Sequence, residues 1–472
     1  MFARTTVIAV LFLLPVSLHA ATPAEAVQGL RKAIGFFRES VAVEGGYVWK
    51  YSADLNKREG EGRATPTQIW VQPPSTPSVG EALLAAYDAT GDAYYLDAAR
   101  ETALALVRGQ LASGGWDYKI DFDPAKRKGY AYKSDGANGK TNTTTLDDNT
   151  TQAALSFLIH IDQALAKSDQ PIHDAVVYAL DKLIAAQYPN GAWPQRFAEA
   201  PDASKYPVIK ASYPESWARE WAARDYKSDY TFNDNSIADM IELMLLAHNA
   251  YDDTRFRDAA LRGGDFILLA QMPDPQPGWA QQYDAAMHPV WARKFEPPAI
   301  TGNESQGVMR TLIDLFDKTG QKRFLLPIPR AIAYYKASLL PDGRLARFYE
   351  LQTNKPLYFT KDYKLTYSSD DMPTHYGFIV GSGLDGIQAE YDRAIAEGAK
   401  TRTSHQEGNI DSAKIDAIVQ ALDSRSAWVD SDKLDYHGDD DPTREIISSA
   451  TFARNVRTLS TFIKQSKNTK DK

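Results

Sequence analysis

Two acidic segments of the sequence have the composition of a site for a hard cation. The first, residues 147–152 (DDNTTQ), contains Asp147 and Asp148, and the second, residues 230–235 (YTFNDN), contains Asp234. Each segment precedes an apolar run with helical spacing, where Asp or Asn commonly caps the helix by accepting a backbone N–H bond. Taken alone, each segment is better interpreted as a cap. If the fold brings both segments to one cleft, their carboxylates suit calcium.

A third segment, residues 192–197 (AWPQRF), combines an aromatic side chain with a cation. A sugar ring can stack on Trp193, and the guanidinium of Arg196 can form two hydrogen bonds with a carboxylate. Alternatively, Trp193 packs beneath a loop and Arg196 forms a structural ion pair. The residue types leave both interpretations open.

Residues 280–298 and 347–356 are also dense in polar and aromatic groups. Arg293 lies close to Glu296 in the first of these segments, and the two could form a simple salt bridge on a surface loop. The eight histidines show no metal-ligand spacing, which argues against a histidine metal site.

A weak internal repeat indicates which elements position these residues. Each of four units contains a helix, a turn with Gly or Asp and a second helix, and three units end near Trp116, Trp193 and Trp279. Apolar residues within the units recur at the helical period rather than the strand period. Paired antiparallel helices around an axis place every unit-ending loop on one side. We therefore expect a mostly α-helical α/α toroid with long irregular loops over a central groove, and a straight helical solenoid is the alternative.

Composition also divides the chain. Two polar insertions, residues 117–148 and 198–230, interrupt the repeat and are common locations for binding residues. We expect a toroidal catalytic domain over residues 22–386, a C-terminal helical extension over residues 387–464 and a disordered tail over residues 465–472. The helices expected in the extension cover residues 387–397, 412–428 and 443–464.

The N-terminal residues 1–21 are typical of a secretory signal peptide, with a positive start at Arg4, a short apolar run and small residues around Ala20. The apolar run is too short to span a bilayer comfortably. We expect a soluble monomer, secreted or periplasmic, without a membrane partner. The formal net charge of −8 argues against a nucleic-acid partner. Because the chain has no cysteine, its stability must come from core burial.

Five blocks in a fixed order resemble the signature blocks of the family 10 pectate lyases, and five in one order argue against a chance match. The resemblance extends over residues 79–363. It implies a toroid with a central groove and a secreted pectate lyase that cleaves α-1,4-polygalacturonate by calcium-assisted anti β-elimination. The blocks are residues 193–197 (WPQRF), 231–234 (TFND), 282–284 (QYD), 292–297 (ARKFEP) and 347–350 (RFYE).

The resemblance also implies a metal site and a base. Asp148 and Asp234 match the family's acidic calcium positions, and Asp147 is a further candidate ligand. Arg293 matches the arginine that removes the C5 proton. Arginine is a difficult base because its free pKa lies above ~12. A desolvated site crowded with cations would lower that pKa, and we therefore expect an alkaline optimum.

Five side chains are the substrate-binding candidates, for polygalacturonate or a related acidic polysaccharide. Arg347 matches a substrate-binding arginine of the family. Lys361 stands where the family usually has a second arginine, so the charge is kept but the bidentate fork is lost. The remaining candidates are Trp193, Arg196 and Tyr283.

The sequence departs from the family pattern at three places. Ala192 replaces the usual glycine before Trp193, and residues 370–378 (DDMPTHYGF) replace a basic, aromatic segment. The stretch after Gly386 is longer than the resemblance implies. These differences concern substrate preference and activity rather than the fold.

Two other functions fit parts of the sequence. An inverting glycoside hydrolase on the same toroid would use Asp148 and Asp234 as acid and base, with Arg293 holding the substrate. A catalytically silent binding protein for acidic glycans is suggested by the altered segment around His375. The reaction product separates them, because only a lyase leaves a conjugated double bond.

Overall fold

A computed structural model describes residues 21–399 and 410–470 of the chain. Residues 1–20 of the predicted signal peptide lie outside the described residues. None of the helices in the described ranges is long and apolar enough to cross a membrane. The helices are α1 (Pro23–Phe36), α2 (Thr76–Thr90), α3 (Ala93–Arg108), α4 (Pro124–Arg127), α5 (Thr150–Ala164), α6 (Gln170–Ala185), α7 (Ser236–Tyr251), α8 (Thr254–Ala270), α9 (Glu304–Thr319), α10 (Ile328–Ala337), α11 (Leu384–Glu397), α12 (Ser412–Gln420) and α13 (Ser449–Lys470).

Eight of these helices form the four predicted pairs, α2–α3, α5–α6, α7–α8 and α9–α10. The first helices of the first three pairs are neighbours in space, with α5 packed between α2 and α7. In the fourth pair, α9 packs against α8 and the turn before α7. α13 packs on α2 at one end of this row, and α11 packs on α9 at the other. The prediction of a mostly helical α/α toroid is therefore confirmed.

The turns within the pairs follow from residues that the sequence places there. α2 ends at Gly91 and α9 ends at Gly320, both with positive φ (74° and 70°), a conformation that glycine adopts without steric cost. The second helices of three pairs begin with an aspartate whose side chain accepts a backbone N–H bond. These N-caps are Asp92, Asp169 and Asp253.

The three repeated tryptophans close their units from the inside. Each is at most 1% exposed. The indole N–H of Trp116 donates to Leu106 O at 2.8 Å, and those of Trp193 and Trp279 donate to Leu183 O and Ile267 O, both at 2.9 Å. A buried indole needs such an acceptor, so each tryptophan anchors its loop to the second helix of its own pair.

Short antiparallel strands connect the loops at the ends of the pairs. β6 (Thr144–Thr145) pairs with β7 (Arg196–Phe197), so that Thr145 lies opposite Arg196. β8 (Tyr230–Thr231) pairs with β9 (Gln282–Tyr283), so that Thr231 lies opposite Gln282. β10 (Ala299–Thr301) pairs with β12 (Phe348–Glu350) in the same manner. Each ribbon joins the loop before the first helix of a unit to the loop that ends the unit. The chemistry-bearing segments therefore meet at one rim.

Two sheets among the described residues have more than two strands. One sheet has the strand order β16-β17-β1-β2-β3, and a second has the order β10-β12-β13-β14. The remaining pairs are β4–β5 and β11–β15. The strands are β1 (Lys50–Ser52), β2 (Arg58–Gly60), β3 (Gly62–Arg63), β4 (Gln68–Trp70), β5 (Lys119–Asp121), β6 (Thr144–Thr145), β7 (Arg196–Phe197), β8 (Tyr230–Thr231), β9 (Gln282–Tyr283), β10 (Ala299–Thr301), β11 (Leu345–Ala346), β12 (Phe348–Glu350), β13 (Pro356–Phe359), β14 (Leu365–Thr366), β15 (Ile379–Val380), β16 (Asp430–Ser431) and β17 (Glu445–Ser448).

The C-terminal stretch differs in detail from the sequence prediction. α12 ends at Gln420 rather than near residue 428, and residues 445–448 form β17 instead of the start of a helix. β17 pairs with β1 through two buried isoleucines, and β-branched residues favour that conformation. α13 continues to Lys470 and so takes in residues assigned to a disordered tail. The domain division at residue 386 remains a prediction.

Candidate active site

The two acidic segments share an unusual backbone conformation. Asp148 and Asn149 both have positive φ (51° and 56°), as do Asp234 and Asn235 (49° and 57°). Asp and Asn enter this left-handed region more readily than other non-glycine residues. Neither Asn149 nor Asn235, which occupy the N-cap positions of α5 and α7, makes a side-chain capping bond. The capping interpretation of these segments is therefore wrong.

The left-handed turns bring three carboxylates together. One oxygen each of Asp147, Asp148 and Asp234 lies within 4.8 Å of the others. Asp147 and Asp148 are half-buried and Asp234 is exposed. Calcium binds oxygen ligands at about 2.3–2.6 Å, so oxygens at these separations fit around one ion. The three side chains are hard, anionic donors, and the described residues fit the calcium that the sequence predicted.

The crowding of negative charge changes the acidity of the cluster. Burial, with the charges of Asp147 and Asp234, raises the pKa of Asp148 to about 7. Loss of hydration in the cleft, with the charge of Asp147, raises the pKa of Asp234 to about 6. Carboxylates that repel one another in this way are stabilised when a cation neutralises them.

Asp147 is held by side chains from two neighbouring loops. Its Oδ1 accepts from Gln195 Nε2 at 3.1 Å, and its Oδ2 accepts from the Tyr118 hydroxyl at 2.8 Å and from Arg196 Nη2 at 3.2 Å. Arg196 thus forms the structural ion pair that the sequence left open. The pair fixes Asp147 and leaves Arg196 on the rim of the cluster.

Arg293 faces carboxylates rather than cations. Its Nη2 donates to Glu296 Oε1 at 2.6 Å, and its backbone N–H donates to Glu296 Oε2 at 3.0 Å. Burial opposes the charged guanidinium, but the hydrogen bond and charge of Glu296 and the charge of Asp234 outweigh it and raise the pKa of Arg293 above its ordinary value. The expectation of a cation-crowded environment is therefore wrong, because Glu296 comes from the same turn and reaches the guanidinium first.

Arg293 and one carboxylate of the cluster, that of Asp147, open onto the same space. Asp147, Arg293 and Glu296 all line a cavity of about 30 Å³ between the rim loops. Glu296 is 1% exposed and is fixed by bonds from Gln281 Nε2 at 2.7 Å and from the Tyr376 hydroxyl at 3.1 Å. The predicted base thus shares a cavity with Asp147, and its charge also acts on Asp148 and Asp234.

Arg347 joins this group through Tyr376. Its guanidinium carbon lies 4.2 Å from the centre of the Tyr376 ring, and that of Arg293 lies 5.8 Å from the same centre. Arg347 also forms an ion pair with Glu304, which begins α9. The roles of Tyr376 and Glu304 were not predicted from the sequence. Glu304 could have been found from its position, because it is the first residue of α9, the first helix of the fourth pair. Asp148 and Asp234 lie just before the corresponding helices, α5 and α7.

Two of the predicted substrate contacts are buried in the structure, and a third, Lys361, is exposed. Trp193 is 1% exposed and Tyr283 is fully buried, with its hydroxyl donating to Ala270 O at 2.7 Å. Neither offers a face on which a sugar could stack, so their direct contacts are corrected to structural roles. The side chain of Lys361 is 69% exposed and pairs with Asp371 at 3.3 Å.

A wider groove begins beside Arg293. Its volume is about 950 Å³. Lys294, the next residue of the loop, lines the groove with Trp221 and Tyr367, and the last two are 40% and 53% exposed. Trp221 is fixed by an indole N–H bond to Ala292 O at 2.8 Å. The groove offers aromatic faces and cations, the groups that bind acidic sugars.

Comparison with known proteins gives a family and several distant structural likenesses. A model of the family described as pectic acid lyase matches residues 110–343. A search of curated proteins found no match. The structural likenesses that follow are all at most 22% identical, with TM-scores of at most 0.46, and no conclusion is drawn from them. Family 10 polysaccharide lyase from Cellvibrio cellulosa is 22% identical (TM-score 0.46; 68% of this chain and 96% of that chain), a mutant of it in complex with trigalacturonic acid is 21% identical (0.45; 68% and 98%), and an unsaturated glucuronyl hydrolase specific for heparin is 10% identical (0.42; 94% and 99%).

Proposed function

Because residues 110–343 belong to the pectic acid lyase family, the protein is a polysaccharide lyase, and we propose that it cleaves α-1,4-polygalacturonate by calcium-assisted anti β-elimination. The observation that carries this proposal is the three-carboxylate cluster beside Arg293. A divalent cation and a cationic side chain close to one another suit a substrate whose reacting carbon carries a carboxylate, because both can interact with that negative charge.

The proposed reaction begins with removal of the C5 proton of a uronate. The electron pair of that C–H bond forms the C4=C5 double bond, the bond from C4 to the glycosidic oxygen breaks, and the departing oxygen takes up a proton. Calcium, when held by Asp147, Asp148 and Asp234, would neutralise the carboxylate attached to C5 and so make that proton more acidic. Without a catalyst the reaction is slow because the C5 proton, next to a carboxylate, is only weakly acidic.

Arg293 is the proposed base. It lines the same cavity as Asp147, and its guanidinium must be neutral to accept a proton. Glu296 favours the charged form, so the neutral fraction grows only at alkaline pH, and we retain the expectation of an alkaline optimum. Arg347, stacked on Tyr376, is positioned to offset the negative charge that develops on the substrate carboxylate.

The groove lined by Trp221, Lys294 and Tyr367 supports a polymeric substrate. A chain cleaved at Arg293 could continue into this groove, where rings stack on the exposed aromatics and carboxylates meet Lys294. Lys361 remains a proposed contact of the same chain. We propose further that the protein acts as a monomer and is exported, as its N-terminal residues predict.

The hydrolase alternative is less well supported by the cluster. An inverting hydrolase needs its two carboxyl groups about 6.5–9.5 Å apart to admit a water molecule. Carboxylate oxygens of Asp148 and Asp234 lie within 4.8 Å of each other and share the space with Asp147. This separation suits one shared cation.

The test is the ultraviolet absorbance of unsaturated product formed from polygalacturonate at alkaline pH. We expect a rise with calcium, none with excess chelator, and none for Arg293→Ala even with calcium. Arg330→Ala is the matched control and should retain activity, because it removes an exposed ion pair with Asp274 and neither residue lines the cavity beside Arg293. New reducing ends without absorbance would instead establish a hydrolase, and binding without turnover would establish a glycan-binding protein.

A further inference from the structure

We propose that Gln72 is a positioning residue for the carboxylate cluster, and that Glu61 adds negative charge beside it. Both residues lie outside the family-matched residues 110–343. The inference rests on the proposed function, since it concerns how this chain holds a calcium ligand in place.

Gln72 contacts the cluster directly. Its Nε2 donates to Asp148 Oδ2 at 2.9 Å and to Glu61 Oε2 at 3.3 Å. The side chain is nearly inaccessible, with Gln72 5% exposed. A single buried amide therefore bridges a candidate ligand and a further carboxylate, and it restrains the carboxylate of Asp148 from one side.

The orientation of the amide is fixed by its other contacts. Its Oε1 accepts from the indole N–H of Trp70 at 3.3 Å. Because an indole N–H can only donate, the oxygen must face Trp70 and the amide N–H₂ group must face the carboxylates. The backbone is fixed as well, since Gln72 O accepts from Trp49 Nε1 at 2.9 Å and from Ser75 Oγ at 2.7 Å.

The turn that carries Glu61 is built for close approach. Gly60 packs on the Trp70 indole so closely that a Cβ would lie 2.1 Å from a ring atom, and Gly62 has a φ of 128°. Both positions therefore require glycine. The sequence Gly60-Glu61-Gly62 lays the β2–β3 hairpin flat on Trp70 and leaves Glu61 exposed at its tip, within reach of Gln72.

The C-terminal stretch holds this hairpin. The carboxylate of Glu59, which is 1% exposed, accepts backbone N–H bonds from Asp435 and Tyr436, both at 2.9 Å. Arg63 donates to Tyr436 O at 2.9 Å and to His437 O at 2.8 Å. The stretch that the sequence could not relate to any family pattern thus supports the residues that reach the cluster.

Glu61 and Gln72 act in different ways. Glu61 is absent from the group of carboxylates that lie within ligand distance of one another among the described residues, so it contributes by charge, and salt screens such a contribution. Gln72 acts by a directed hydrogen bond to a ligand. Loss of such an outer partner typically weakens metal binding by about 10–100-fold.

The experiment is a calcium titration by calorimetry of the wild type, Gln72→Leu and Gln68→Leu. Gln68 is the matched control, because its Nε2 also donates to an aspartate, Asp121 Oδ2 at 2.9 Å, which is not one of the three carboxylates of the cluster. We expect Gln72→Leu to weaken calcium binding by about 10–100-fold and Gln68→Leu to leave it unchanged. Glu61→Gln should weaken binding less, and only at low salt.

Thermal unfolding separates positioning from a general loss of structure. The melting temperature in chelator should be similar for the Gln72 and Gln68 variants, whereas the calcium-induced rise should shrink only for Gln72→Leu. If Gln72→Leu does not fold, Gln72→Asn, whose amide is one methylene shorter, replaces it. Absence of calcium binding in the wild type would overturn the proposed function together with this inference. Equal affinities for wild type and the Gln72 variant would overturn the inference alone.

Discussion

The guanidinium of Arg293 lies near two carboxylates, Glu296 and Asp234, and two aromatic rings, and this environment decides what it can do. Glu296 accepts hydrogen bonds from both the guanidinium and the backbone N–H of Arg293, and the ring centres of Phe295 and Tyr376 lie 5.0 and 5.8 Å from the guanidinium carbon. The charge of Glu296 favours the protonated guanidinium. If Arg293 is the base, Glu296 opposes the loss of a proton that this role requires. The reaction should therefore depend steeply on pH.

Glu296→Gln tests this dependence. Glutamine keeps an oxygen that Arg293 can bind but removes the charge that raises the Arg293 pKa. A lower pKa makes the neutral guanidine available at lower pH, so the alkaline limb of the rate profile should move towards neutral pH. The measurement is kcat/KM from the absorbance assay between about pH 7 and about pH 11, the range in which side chains of high pKa begin to lose their protons.

Glu304→Gln is the control for that experiment, because it removes the partner of Arg347 and leaves the partner of Arg293 in place. It should lower activity without a comparable displacement of the profile. If Glu296→Gln leaves the profile where it was, deprotonation of Arg293 does not limit the reaction, and Arg293 would instead bind the substrate carboxylate as a cation.

At the level of the elements, the site depends on loops that are anchored to the helix pairs. The ribbon β6–β7 joins the loop with Asp147 to the loop with Arg196, and β8–β9 joins the loop with Asp234 to the segment that leads to Arg293. Buried tryptophans fix the same loops to the second helices of the pairs. Loop positions are therefore set by hydrogen bonds to helix carbonyls rather than by the loops themselves.

Trp193→Phe separates a structural role of this tryptophan from sugar stacking. Phenylalanine keeps an aromatic ring but leaves Leu183 O without its donor. A buried acceptor that loses its partner costs about 1–3 kcal/mol, so the free energy of unfolding in urea should fall by that amount. KM for polygalacturonate should change little. A large rise in KM at unchanged stability would restore the predicted sugar contact.

At the level of the whole molecule, the first and last described segments of the chain lie together. α13 packs on α1 and α2, and β17 lies beside β1 in one sheet. Ion pairs from Lys50 to Asp435 and from Lys57 to Asp441 tie the same regions. The C-terminal stretch therefore contributes to the stability of the body that carries the site.

Leu459→Ala tests whether this stretch unfolds with the rest. Leu459 is fully buried in α13, and a buried leucine replaced by alanine typically costs about 2–5 kcal/mol. We expect one transition at a lower temperature, seen equally by circular dichroism and tryptophan fluorescence. Arg457→Ala, at an exposed position of the same helix, should change little. Two separate transitions would instead show that the C-terminal stretch is an independent unit.

Much of the architecture follows from the sequence because the signals are local. Helical periodicity, aspartates at N-caps and glycines at helix ends depend on neighbours a few residues away, and they fix the four helix pairs. The same applies to the Asp-Asn dipeptides at 148–149 and 234–235, although their meaning was ambiguous. A residue that tolerates the left-handed region also caps helices well, and only the backbone angles separate the two uses.

The charge states and partners of the site depend on contacts between distant segments, and only the tertiary structure decided them. Gln72 meets Asp148 and Glu296 meets Tyr376 across separations of 76 and 80 residues, and no local pattern predicts such pairs. The burial of Trp193 was equally open, because an indole suits both a sugar and a core. The sequence determined which groups the chain carries to the rim, and packing determined which of them face one another. The physical reason is that the pKa and the accessible surface of a side chain depend on the groups packed around it.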